Sequence, residues 1–279
     1  MDNGKWNDDV LRIFNLGCQR KQCWIVCGVL LAWFFAGAGS VPVTQARVWH
    51  VCMECPDGDF KTISDAVRKA EPRDTILVYW EPRYPYYMES LVIDKPLRII
   101  SHPAAGDLME YDLYPVITAT GDSIIRITVP GVELIGFNIM FLEKPGEPDD
   151  PQRFDTQVGI RLDAPALIRQ CAITNCSTGI LAAYTAMNSD TGSRIQMCRV
   201  GLPPDHGLDR RGLRQTRNLF GLVLLGAQAG SGYPRGSGMD RITDSQIMRN
   251  LYYGVVYTPE NPPQMVNNLV ELNGTAPYR

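Results

Sequence analysis

Short apolar runs alternating with polar, glycine-bearing or proline-bearing turns fill the chain from Thr75 onward. "TILVY" (75–79), "SLVI" (90–93), "PLRII" (96–100) and "PVITA" (115–119) come first. They are followed by "SIIRIT" (123–128), "VELIGFNIMF" (132–141), "VGIRLD" (158–163), "ALIRQCAIT" (166–174) and "GILAAY" (179–184). The series closes with "SRIQMCRV" (193–200), "GLVLLG" (221–226), "RITDSQIM" (241–248), "YGVVY" (253–257) and "QMVNNLVEL" (264–272). Runs this short, rich in β-branched residues and bounded by turn formers, predict strands. No amphipathic helical pattern of ten or more residues interrupts them. That density of strands fits a sandwich, a barrel or a solenoid.

One helix is predicted ahead of the strands. Phe60, Ile63, Ala66, Val67 and Ala70 form a single apolar stripe at helical spacing. Asp59 is the expected N-cap, and Pro72 in "EPRD" (71–74) stops the helix by disfavouring helical geometry at Glu71.

Internal repetition selects the solenoid. "ITNCSTGIL" (173–181) and "MRNLYYGVV" (248–256) share Asn, three residues, Gly and two aliphatics. Their asparagines, Asn175 and Asn250, lie 75 residues apart, an expected three turns of about 25. Cys176 and Cys198, 22 residues apart, are expected one turn apart. In a parallel β-helix equivalent positions stack, so inward asparagines form hydrogen-bonded ladders, and a neighbouring glycine eases the bend. Asn175 and Asn250 are therefore read as ladder residues, and Cys171, Cys176 and Cys198 as small core residues. Two polar inserts, 142–157 and 201–218, read as projecting loops, the second with Arg210, Arg211, Arg214 and Arg217.

The N-terminus changes the picture of location. Cys23–Ala46 carries no charge and follows Arg20 and Lys21, the layout of a secretory signal. Left uncut, it is long enough to span a bilayer of about 30 Å as a signal anchor, with its basic flank in the cytoplasm. The expected division is thus an N-terminal extension with signal peptide or anchor (1–46) and a β-helix domain (47–279). This β-helix would lie outside the cytoplasm, secreted, periplasmic or membrane-anchored. Of the eight cysteines, "CMEC" (52–55) is expected to form a local disulfide. No second Cys/His pair sits at zinc-site spacing, so no metal and no cofactor is assigned. "NCS" at Asn175 and "NGT" at Asn273 match glycosylation acceptors. The net charge of −3 offers no general attraction to nucleic acid.

The segment "FKTISDAVRKAEPRDTILVYWEPRYPYYMESLVIDKPLRIISH" (60–102) resembles the start of the pectin-lyase-like right-handed parallel β-helix superfamily. It is closest to the pattern of pectin methylesterases and periplasmic NosD-type proteins: a helix, "DTI", a Gly-x-Tyr-x-Glu element and "KPL". Tyr87 and Glu89 match the element, and Pro85 replaces its glycine. The resemblance implies an all-β, single-stranded right-handed β-helix whose short helix, with Phe60, Ile63 and Val67, caps the first coil. It also implies carbohydrate chemistry. A methylesterase needs two aspartates on neighbouring coils and an arginine, and its "DFIFG"-like strand is not found here. "ITDSQ" (242–246) and "PDHG" (204–207) are fragments of hydrolase elements.

The catalytic candidates are Asp163 and Arg161, which have lyase-like chemistry, and the Asp205–His206 pair; no full catalytic set is recognised. The candidate carbohydrate contacts are Trp80, Tyr84, Tyr86 and Tyr87, whose rings can pack on sugar faces. The reading is an exported, non-catalytic β-helix that binds polysaccharide, another cell-envelope component or a protein partner. The main alternative is a polysaccharide-active esterase, lyase or hydrolase with a divergent site. A further alternative is a structural or F-box-linked interaction protein, since "DDVLRIFNLGCQRKQCW" (8–24) resembles an F-box start without its Leu-Pro opening.

Overall fold

The computed structural model describes residues 45–80, 86–102, 114–143, 155–184, 192–202, 217–227, 240–259, 262–274 and 276–278. Ala46–Arg279 is one compact unit. Its elements in chain order are β1 (Val48–Val51), α1 (Ile63–Lys69), β2 (Thr75–Tyr79), β3 (Tyr86–Met88), β4 (Leu91–Ile93) and β5 (Arg98–His102). Then come β6 (Val116–Thr118), β7 (Ser123–Ile127), β8 (Val132–Ile135), β9 (Asn138–Met140), β10 (Val158–Leu162), β11 (Ala166–Arg169), β12 (Ala172–Thr174) and β13 (Thr178–Tyr184). The last are β14 (Arg194–Gln196), β15 (Arg199–Gly201), β16 (Phe220–Ala227), β17 (Arg241–Thr243), β18 (Gln246–Met248), β19 (Tyr253–Tyr257), β20 (Gln264–Val266), β21 (Leu269–Glu271) and β22 (Ala276–Tyr278).

Every pairing is parallel, and strands recur in threes. One sheet runs β1-β2-β5-β8-β11-β14-β17-β20, a second β4-β7-β10-β13-β16-β19-β22, and a third β3-β6-β9-β12-β15-β18-β21. The chain visits the sheets in rotation, which is a right-handed parallel β-helix. Inward side chains stack by register. In the first sheet Trp49, Ile76, Ile99, Leu134, Ile168, Ile195, Ile242 and Met265 form one column. In the third, Tyr87, Ile117, Ile139, Ile173, Val200, Ile247 and Val270 form another. Each fully buried Ile or Leu of such a column contributes about 1.5–3 kcal/mol.

The long predicted runs are each two strands, not one. They break at Gly136, Gln170, Met197, Asp244 and Asn267, all with positive φ. These residues occupy the same corner of successive coils. Their amides bond the next coil, as from Gln170 N to Gln196 O (3.0 Å) and Met197 N to Thr243 O (3.0 Å). Asn175 and Arg249 take positive φ at the following corner.

The ladders are real but registered differently. Asn175 and Asn250 are two coils apart, by way of β12, β15 and β18, because the coil holding insert 201–218 is long. Asn250 stacks on Asn273, whose Oδ1 accepts from Asn250 N (3.0 Å) and Nδ2 (2.8 Å). Asn218 Oδ1 accepts from Cys176 N (3.0 Å). Cys198 is the neighbour of Cys171, since Ala172 pairs with Arg199, while Cys176 lies at the next corner. All three thiols are free and buried. Asn175 is 1% exposed with Nδ2 on Phe141 O, and Asn273 is committed to the ladder, so neither glycosylation motif presents a free amide.

The N-terminal motif is a set of ties for the cap. Thr62, not Asp59, is the N-cap of α1, its Oγ1 accepting from Asp65 N at 3.2 Å. Asp59 accepts from His50 N (2.8 Å) instead. Glu89 takes the amides of Ile63 (2.9 Å) and Ser64 (2.8 Å), where a carboxylate also meets the positive helix end. Lys95 Nζ donates to the carbonyls of Val67, Arg68 and Ala70 at the other end. Cys52 and Cys55 form the expected disulfide.

Candidate functional site

The outward face of the second sheet, β4-β7-β10-β13-β16-β19-β22, carries the charged cluster. Alternation along "SIIRI" and "VGIRL" turns Arg126 of β7 and Arg161 of β10 outward, and register sets them side by side. Asp163 follows β10 and is fixed by its amide on Ile127 O (2.9 Å). Its Oδ2 lies 2.5 Å from Arg126 Nε and its Oδ1 2.9 Å from Arg161 Nε.

The Asp163 side chain is 2% exposed, those of Arg126 and Arg161 48% and 31%. A carboxylate this enclosed requires paired charge, and two guanidiniums supply it, leaving the triad one net positive charge. Among the described residues the terminal NH2 groups of both arginines make no hydrogen bond within the protein. Asp163 thus anchors two forks whose free ends face outward, a geometry suited to an oxyanion. Among the described residues its side chain pairs with no second carboxylate.

The same outward column changes character along the axis. Val92 precedes Arg126 and is 55% exposed, whereas Leu181 and Val223, which follow Arg161, are buried. These two join Val158, Ala183, Leu219 and Phe220 in an apolar cluster distinct from the solenoid core.

A second polar group lies within the solenoid. The Tyr184 hydroxyl donates to Asp240 Oδ1, which also accepts from Ser193 N (2.8 Å), and Ser193 Oγ accepts from Ala166 N (3.1 Å). Burial pushes both the Asp240 carboxyl and the Tyr184 phenol up. This network joins the end of β13 to the starts of β11, β14 and β17, a structural role.

The sequence candidates separate accordingly. Arg161 and Asp163 meet, with Arg126 as the partner that sequence reading missed. The signal was present: "IIRI" and "GIRL" place arginine at the same step of consecutive coils. Tyr87 is 2% exposed, heads an inward column and donates to Tyr79 O (2.9 Å), so it is a core residue and not a surface contact. Trp80 is half-buried, and Tyr86 is exposed. Nearby, Tyr79 stacks on His102 at 4.7 Å, and its hydroxyl meets His50 Nδ1 at 3.1 Å. Tyr84, Asp205, His206, Arg210, Arg211 and Arg214 lie outside the described residues. So does 1–44, which holds most of the uncharged run. Among the described residues no helix is long and apolar enough to cross a membrane.

No protein-family model and no curated protein matches the chain. Similar solved structures include a pectin methylesterase in complex with a hexasaccharide, at 16% identity and TM-score 0.42, covering 83% of this chain and 70% of that one. The pectin methylesterase from Aspergillus niger shares 13% identity at TM-score 0.37, covering 82% and 86%. Escherichia coli YbhC shares 11% at TM-score 0.34, covering 80% and 59%. With three parallel sheets visited in rotation and a helix over the first coil, the chain has the right-handed parallel β-helix fold.

Proposed function

We propose that this β-helix binds an acidic polysaccharide on the outward face of the sheet that holds β7 and β10, through Arg126 and Arg161. One observation carries the reading: the two guanidiniums are held by Asp163 through Nε, and among the described residues their terminal N–H groups have no partner. A uronate carboxylate or a sugar sulfate matches that donor pattern. The polymer belongs to a cell envelope or extracellular matrix, because the basic flank and uncharged run at 20–46 have the layout of an export signal or anchor. The Cys52–Cys55 disulfide also suits an oxidising compartment.

Calorimetric titration of the full chain with sodium polygalacturonate and with neutral dextran tests the reading. Binding of the acidic polymer alone, weakening as salt rises, is the expected result. Equal binding of both polymers, or of neither, refutes it.

A polysaccharide-active enzyme is the second reading, and the meeting of Asp163 with Arg161 and Arg126 favours it. An arginine-held carboxylate on an outward sheet face is a candidate nucleophile. Methanol or new reducing ends released from methyl-esterified pectin, and lost in Asp163→Asn, would establish turnover. Polymer binding without release of either product leaves the binding reading.

A further inference from the structure

A groove of about 470 Å³ lies between α1 and β4, lined among others by Ser64, Val67, Arg68, Ser90, Val92 and Asp94. One of its lining residues, Val92, stands in the same outward column as the arginine pair. Val92 pairs in register with Arg126, and Arg126 with Arg161, so one outward column crosses from groove to guanidiniums at about 4.8 Å per strand.

The groove differs in charge from the arginine site. Lys95 also borders it, but its Nζ is committed to three helix carbonyls. Arg68 is drawn to Asp65 at 2.9 Å. The Asp94 carboxylate is exposed and, among the described residues, has no hydrogen bond or ion pair, and the Ser64 hydroxyl has none either. Val92 offers an apolar surface that is 55% exposed. A second uronate placed here would meet the Asp94 charge. A neutral sugar would donate its hydroxyls to Asp94 and rest its C–H face on Val92.

We infer that this groove is a subsite for a neutral sugar, so that the ligand is an acidic heteropolysaccharide in which a neutral sugar adjoins the uronate held by Arg126 and Arg161. This inference rests on the acidic-polysaccharide reading above.

Calorimetry of the full chain with two hexasaccharides, one of galacturonate only and one alternating galacturonate with the neutral sugar rhamnose, tests it. The alternating hexamer is expected to bind about tenfold more tightly. Asp94→Ala should erase that preference, and Val92→Arg, which adds a third guanidinium to the column, should reverse it. Both positions are exposed, and thermal melting checks that the variants remain folded. Equal binding of the two hexamers, unchanged by Asp94→Ala yet lost in Arg126→Ala, overturns the neutral subsite and leaves the arginine site standing. Binding of neither hexamer overturns the acidic-polysaccharide reading and the subsite with it.

Discussion

Asp74 and Asp240 are both nearly enclosed carboxyls, yet their surroundings shift them in opposite directions. Burial opposes the charge on Asp74, but the amides of Arg47 and Glu71 and the Trp49 indole donate to it and outweigh that cost, so its pKa is lowered. With a folded value below the unfolded value of about 3.9, its contribution is present above that pH and lost as pH falls through the folded value. Asp74→Asn should therefore lower stability by about 1–3 kcal/mol near neutral pH and by progressively less as the pH falls from about 3.9 through the lowered folded value, as read by thermal melts. At Asp240 burial wins over the donors Tyr184 and Ser193, and the pKa is raised. Its contribution is complete below about pH 3.9 and is lost as pH rises through the raised folded value. Asp240→Asn keeps an Oδ1 for both donors and removes that titration. It should melt above the wild type at about pH 8 and level with it at about pH 3.5, and a lower melting point at the alkaline pH would contradict this assignment. Neither role was legible locally: Asp74 reads as part of a helix stop, and its Arg47 and Trp49 partners lie 27 and 25 residues upstream.

At the scale of elements, the hydrophobic pattern located the strands but hid their corners. Gln170 and Met197 take left-handed backbone in the middle of continuous apolar-looking runs, and neither residue type announces a turn. Coil-to-coil hydrogen bonds impose that conformation, so only the stacked structure reveals it. The cap helix was legible from its stripe, while its true N-terminal partner, Glu89, sits 26 residues beyond Ile63. Glu89→Ala strips a carboxylate from two amides of a seven-residue helix. It should cost about 1–2 kcal/mol in urea unfolding, and Glu89→Gln should cost less because its oxygen still accepts. No change in either variant would mean that the cap contributes nothing to the first coil.

For the whole molecule, stacked columns convert a repeated local pattern into both stability and a surface. Removing a member from the middle of a column, as in Ile168→Ala, leaves a cavity between two coils and should cost about 2–5 kcal/mol in denaturant unfolding. The outward columns are less regular, and there the charged cluster sits. Arg161 and Asp163 were found from the sequence; Arg126 required the register that places it one coil before Arg161. The aromatic residues of 80–87 pointed elsewhere because an expected surface residue, Tyr87, proved to begin a core column. Calorimetric affinity of Arg126→Ala, Arg161→Ala and the double variant for polygalacturonate tests the central claim most directly. Each single change should weaken binding about tenfold and the double change should abolish it, with the fold unaltered by circular dichroism. Wild-type affinity in the double variant would contradict the assignment of this face as the binding site.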